Sequence, residues 1–277
     1  MSSIGKLVRK SQAIIFWCMK GLPKAKKEAI YTIYAFCKHI DNVVEGNLDN
    51  SEKIEILNAW QQELINIYDK KVPATDIGRK IYKNCMRFKI RKEDFSEILN
   101  AALLNFPNSL IAPDYDVFNR YCYGSSEIPV YITLSVMGIF DEETKRELSK
   151  SFGRSMFMTD ILKDVKEDAL TGHTYFPKEL LHQAGITVTD PLSIVTDKNL
   201  VSVREQIARN TAIDFNKAFE ILKTADKKIV LPLRFILHIY KRYFDIMQKR
   251  GWEIISPKPN ITLKDKLAIA YKSAFDK

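Results

Sequence analysis

The sequence predicts an all-α protein, and three observations carry that prediction. Apolar residues recur at helical spacing almost everywhere, no segment sustains two-residue alternation between hairpin turns, and Pro or Gly breakers separate the periodic runs. With 277 residues, 46% apolar and 28% charged, the chain has the composition of an ordinary globular protein and ample material for a core.

Taken in order, the periodicity predicts helices over 6–20, 24–45, 51–69, 74–88, 92–104, 114–137, 142–168, 198–223, 228–249 and 262–275. Gly21-Leu22-Pro23 separates the first two, and Gly46 is a helix stop. Ser51, ahead of Ile54 and Leu57, reads as the capped start of the third. Val72-Pro73, Phe106-Pro107-Asn108 and Ala112-Pro113 end the next runs, while Asp141, Glu142 and Glu143 place acids where a helix N-terminus favours them. Residues 169–197, with Gly172, Pro177, Gly185 and Pro191, form the one long irregular stretch, and Ser256-Pro257-Lys258-Pro259 precedes the last helix. No Gly/Ser-rich or Pro-rich linker and no repeat divides the chain, so one domain is expected over residues 1–277.

The formal charge is +9, and residues 1–40 hold eight Lys or Arg against one acid, Glu28. Such a region serves anionic lipid headgroups, nucleic acid or diphosphates. No nucleic-acid motif accompanies it, which disfavours DNA and RNA as partners. Cys18, Cys37, Cys85 and Cys122 lack C-x-x-C spacing and read as buried thiols of a reducing compartment. The apolar run Ala13–Met19 falls short of the ~20 residues a membrane span needs. A cytoplasmic protein is expected, with peripheral contact to an anionic membrane surface as an option.

The chemistry concentrates in GRSMFMTDILKDVKEDALTGHTYFP, residues 153–177. Asp160, Asp164 and Asp168 recur every four residues, so on a helix they stack into one acidic ladder. Like charges at that spacing repel unless a cation sits on them, and Mg²⁺ suits them because it takes one or two carboxylates, water and substrate phosphates. Met158, Ile161, Leu162 and Val165 form an apolar opposite side. The spacing alone fits equally a solvated face neutralised by Lys163 and Lys166. A second pair, Asp41 and Glu45, again four apart, follows the apolar run Ile30, Ile33, Tyr34 and Cys37. Two such pairs on two helices can clamp metal ions around a diphosphate.

YAFCKHIDNVVEG resembles the first aspartate-rich motif of the squalene/phytoene synthase family, YAFCRxxDDxxD, and TDILKDVKEDALTGHTYFPKELL resembles the second, TNILRDxxEDxxxGRxYLPxELL. The resemblance continues through AGI at 184–186, DP at 190–191 and RGW at 250–252, and spans residues 11 to 270. It looks most like the branch that makes presqualene diphosphate in hopanoid pathways.

The resemblance implies an isoprenoid-synthase-type helical bundle around a central cavity, in which two prenyl diphosphates, farnesyl in the first instance, condense head to head. Products of the presqualene diphosphate, squalene or phytoene type follow. It implies Mg²⁺, with Mn²⁺ as substitute, on Asp41, Glu45, Asp160 and Asp164, joined by Asp168. Lys38, Lys163, Tyr240 and Lys258 are the implied diphosphate partners, three of them Lys where the family has Arg, which keeps charge but loses the bidentate fork. Phe36, Tyr121, Phe157, Met158 and Phe235 are the candidate cavity lining. The four histidines show no zinc-ligand spacing. No Gly-rich dinucleotide fingerprint is present, which leaves the use of NADPH open. A monomer or weak homodimer is expected.

The sequence departs from the family at Asn42 (usually acidic), at Ile14 and Ile15 (usually Ser-Phe), at Phe157 (usually Gln), and at Glu127 and Val130 (usually Gly). These departures keep open an alternative of another class, a catalytically silent relative acting as a binding or assembly factor.

Overall fold

The computed structural model describes residues 21–106 and 110–275. Ile14, Ile15, Cys18 and the helix expected over 6–20 lie outside the described residues, as does the side chain of Cys85. Among those described, helices account for the regular structure and there is no strand, only an isolated parallel bridge between Ile111 and Thr174. The chain divides into two compact units, one within Met1–Pro107 and Tyr123–Ser149, the other within Asn108–Cys122 and Lys150–Lys277.

In the first unit, α1 spans Lys24–Glu45, between Pro23 and Gly46, as expected from those two breakers. Its buried residues, Ala29, Ile30, Ile33, Phe36, Ile40 and Val43, recur at three- and four-residue spacing and form one apolar face. That face packs against α2 (Asn50–Tyr68), α3 (Asp76–Phe88), α4 (Lys92–Leu103) and α6 (Ile128–Met137). Phe36 is fully buried, edge-on to Trp60 of α2 at 5.2 Å and to Phe95 of α4 at 5.3 Å, the T-shaped arrangement that aromatic quadrupoles favour. The helix α2 is capped by Asp49 rather than Ser51. Asp49 accepts from the Glu52 amide, Glu52 accepts from the Asp49 amide, and the Ser51 hydroxyl donates to Asp49. Buried Glu63 accepts from the amides of Ala74 and Thr75 and so ties down the loop entering α3.

The helix expected over 114–137 is three segments: α5 (Tyr115–Cys122), a π-helical turn (Tyr123–Glu127) and α6. Gly124 permits that turn to lie against α4, because a Cβ there would come within 2.3 Å of the Glu97 carbonyl oxygen. Glu127 is buried at the end of the π turn.

The helix expected over 142–168 is also divided, into α7 (Glu142–Lys163) and α8 (Val165–Leu170), with Asp164 between them at φ −101°. The second unit continues through α9 (Lys178–Gln183), α10 (Pro191–Thr196), α11 (Leu200–Lys223), α12 (Lys227–Arg250) and α13 (Leu263–Phe275). The stretch 169–197, expected to be irregular, thus carries two short helices, each with a proline at or just before its first residue, where the missing N–H costs nothing. Phe215 of α11, Phe244 of α12 and Trp252 pack in series as tilted rings at 5.5 Å spacings and anchor this unit's core. No described helix is long and apolar enough to cross a membrane.

Because Phe36 is packed on aromatic rings rather than left facing open space, Phe36→Ala should destabilise the protein by about 3–5 kcal/mol. Urea unfolding followed by circular dichroism checks this; a loss under about 1 kcal/mol would return Phe36 to the cavity lining expected from sequence.

Candidate active site

The last turn of α7 carries Asp160 and Lys163, and Asp164 follows at the break before α8. The ladder persists across that break: the Asp164 amide donates to the Asp160 carbonyl at 2.8 Å, and the Asp168 amide to the Asp164 carbonyl at 2.9 Å. Met158, Ile161, Leu162 and Val165 are buried, as the amphipathic pattern requires. Lys163 Nζ pairs with Asp160 and lies 3.3 Å from Asp164, beneath the Tyr243 ring at 5.4 Å. Lys258 Nζ reaches Asp164 at 2.5 Å and Glu167 at 3.3 Å. The Tyr240 hydroxyl hydrogen-bonds Asp160. Three residues expected at the diphosphate, from three separate parts of the chain, therefore meet on two carboxylates.

The electrostatics of this ladder are strained. Burial raises the Asp160 carboxyl, and Asp164 adds to the rise, while Lys163 and Tyr240 oppose it. Burial, then the Asp164 charge, push Asp168 up to about 7, with Lys258 pulling the other way. Desolvation works against the charge on Lys163, but Asp160 and Asp164 hold its pKa above the ordinary value.

In the first unit, Asp41 and Glu45 sit on the last turn of α1. Lys38 Nζ lies 3.8 Å from Glu45, whose side chain is open to solvent. Asp41 is exposed in surface area yet crowded by surrounding protein, and that desolvation pushes its carboxyl up to about 6, with Lys38 lowering it and Glu45 raising it. Burial, then the Asp41 charge, raise the pKa of the neighbouring Cys37 thiol.

Among the described residues, no group of three or more His, Cys, Asp or Glu is gathered to hold a metal ion. The donor chemistry nevertheless fits magnesium. Each motif offers hard carboxylate oxygens raised in pKa by desolvation and by one another, and a dication relieves both. Magnesium needs only one or two carboxylates, the remainder of its shell being water and phosphate oxygen.

The expected aromatic lining divides. Tyr121 and Phe157 belong to one cluster, 5.7 Å apart, that also takes in Phe118, Tyr175 and His173. Tyr121 and Tyr175 stack with planes 5° apart, and His173 stacks on Tyr175. Phe36 belongs instead to the first unit's core, Met158 is buried, and Phe235 is half-buried on α12. Tyr175, Tyr243 and Glu167 were not singled out from sequence. Tyr175 and Glu167 were within reach, since both stand in the second motif, Glu167 next to Asp168 and Tyr175 two residues before Pro177; Tyr243 is placed by long-range packing that leaves no local signal.

A squalene/phytoene synthase family model matches residues 8–265. The chain is similar to presqualene diphosphate synthase of Rhodopseudomonas palustris, 26% identical over 257 residues covering 92% of this chain and 91% of the relative. It is also similar to phytoene synthase of Arthrospira platensis, 24% identical over 86% of this chain and 80% of the relative. Its fold matches a ligand-bound dehydrosqualene synthase with a TM-score of 0.82, at 20% identity over 98% of this chain and 93% of that one. A squalene synthase of Alicyclobacillus acidocaldarius matches with a TM-score of 0.78, at 17% identity over 90% and 93%.

The raised Asp168 carboxyl gives a pH signature. A group whose folded pKa, about 7, exceeds its unfolded value destabilises the native state above that pH, and the penalty fades as pH falls toward the unfolded value. In chelator-treated protein, Asp168→Asn should therefore raise Tm by about 2–4 °C at pH 8, with the advantage shrinking as pH is lowered through 7 toward 5. Thermal melts across that range check it; a lower Tm for the variant at pH 8 would contradict the assignment.

Proposed function

The chain belongs to the squalene/phytoene synthase family, and we propose how its residues perform that family's chemistry. It is a prenyltransferase that condenses two prenyl diphosphates head to head with release of diphosphate. Our finer reading is that both substrates are farnesyl diphosphate and the product is presqualene diphosphate, in line with the presqualene diphosphate synthases it resembles over nine-tenths of its length.

The observation that carries this reading is the meeting of Lys163, Tyr240 and Lys258 on Asp160 and Asp164. An acidic ladder serving only as a solvated face needs no tyrosine and no second lysine brought from 80 and 94 positions further along the chain. We assign Asp160, Asp164 and Asp168 in the second motif, and Asp41 and Glu45 in the first, as the carboxylates that would hold magnesium. Bound there, the metal supplies Lewis-acid charge to the diphosphate that leaves. Lys163 and Lys258, and Lys38 beside Glu45, are ammonium groups that bind phosphate oxygens, and the Tyr240 hydroxyl is a donor that orients them.

When the first allylic C–O bond breaks, its electron pair leaves with diphosphate and a prenyl cation remains. The double bond of the second substrate attacks that cation, and loss of a proton closes the cyclopropane ring. The cluster of Tyr121, Phe157 and Tyr175 supplies the aromatic surface that stabilises a passing cation and displaces the water that would quench it. The lysines in place of arginines keep the charge at the diphosphate while giving up bidentate geometry.

Asp160→Asn and Asp164→Asn should each reduce turnover of farnesyl diphosphate by about 10²-fold or more while leaving helix content unchanged; full activity in either would overturn the carboxylate assignment. Incubation of the wild type with farnesyl diphosphate and Mg²⁺, followed by mass analysis of the extract, should return presqualene diphosphate. In parallel, Mg²⁺ with inorganic diphosphate should raise Tm by mass action, and no shift at millimolar concentrations would favour a catalytically silent binding protein instead.

A further inference from the structure

We propose that Arg204 and Arg250 form a two-guanidinium clamp that positions Lys258 over Asp164, an inference that rests on the reading of Lys258 as a diphosphate ligand. Arg204, on α11, is 1% exposed, an expensive place for a permanent charge. Burial and the charge of Arg250 pull its pKa down to about 10, with Glu253 opposing. Its two Nη groups donate to backbone carbonyls: Nη2 to Leu162 at 3.0 Å, and Nη1 to Trp252 and, at 3.4 Å, to Ile254. Its Cζ lies 5.8 Å from the centre of the Trp252 ring. Leu162 stands one residue before the end of α7, where carbonyls lose their helical partners and the helix dipole is negative, so a cation is well placed there.

Arg250 completes the grip from the end of α12. Its Nη2 donates to Ile254 at 3.1 Å and its Nη1 to Pro257. The carbonyls of Trp252, Ile254 and Pro257 are thus held by two arginines from two helices, and the next residue is Lys258. A lysine stem is long and flexible, and ordering it costs rotamer entropy. Fixing the backbone beneath it, and fixing that backbone to the helix that carries Asp160, lowers the cost. Arg204 and Arg250 act through Lys258 and are positioning residues.

The test uses the full-length protein. Arg250 is only half-buried, so Arg250→Ala should fold; Arg204→Lys, which keeps the charge but loses the fork, is the companion variant. Hydrogen–deuterium exchange should rise about tenfold or more in segment 251–258 of either variant while α7 stays protected. In Mg²⁺-supported turnover, Arg250→Ala should raise KM about fivefold to tenfold with kcat within about twofold, the size of one lost charge-assisted hydrogen bond. In a Lys258→Ala background the same change should add less than about twofold, since the residue it positions is gone. Unchanged exchange in 251–258 overturns the clamp, as does a KM penalty that adds in full on top of Lys258→Ala. If Lys258→Ala alone leaves KM unaltered, the reading of Lys258 as a diphosphate ligand fails, and the clamp is judged on exchange alone. Should Arg204→Lys not fold, Arg250→Ala decides the matter by itself.

Discussion

Repulsion between carboxylates one helical turn apart is the constraint on which the second unit is built. Asp160, Asp164 and Asp168 repel one another at that spacing, and the chain brings cations to them, Lys163 from the same helix and Lys258 from far along the sequence. The surrounding construction follows from that need. Phe215, Phe244 and Trp252 make the core that holds α11 and α12 together, and α12 in turn carries Tyr240 to the ladder. On the reading proposed above, magnesium on the ladder would take over the role of the two lysines, which would then turn to the phosphate oxygens of the substrate.

The first unit solves a simpler problem. Its apolar face on α1 is buried by four other helices around Phe36, and its acids stand near the helix end where the chain turns at Gly46. There Lys38 is the near cation, at 3.8 Å from Glu45, a long and partly solvated pairing. The contrast between the two motifs is one of support: the second is buttressed by residues from α12 and the loop after it, the first by its own helix.

What could be read from sequence follows from the range of each interaction. The bounds of α1 were legible at both ends because Pro23 and Gly46 are local punctuation around an uninterrupted run. The acidic spacing was legible for the same reason. The cap of α2 is Asp49 and not the expected Ser51, and its signal is local too, since Asp49 and Glu52 form a D-x-x-E capping box. The break at Asp164 was not legible, because the Leu162 carbonyl beside it is claimed by Arg204, forty-two positions away in the chain. The π turn at Tyr123–Glu127 was hidden likewise, as helical periodicity does not register one extra residue in a turn. Tyr240 and Lys258 entered the site through family likeness, not spacing, and their pairing with Asp160 and Asp164 is a tertiary fact.

The bridge between Ile111 and Thr174 carries a consequence for the aromatic stack. The Ala112 amide donates to the Thr174 carbonyl at 3.0 Å and the Thr174 amide to the Leu110 carbonyl at 3.2 Å, one rung of sheet in a helical protein. Extended backbone turns alternate side chains to opposite sides, so this rung decides that Tyr175, rather than its neighbour, lies flat on Tyr121. A slip of one residue there would exchange a phenol for a small hydroxyl or a buried phenylalanine. Changes in the length of the segment around Leu110 would accordingly be felt at the ring of Tyr175, as loss of alignment rather than loss of fold.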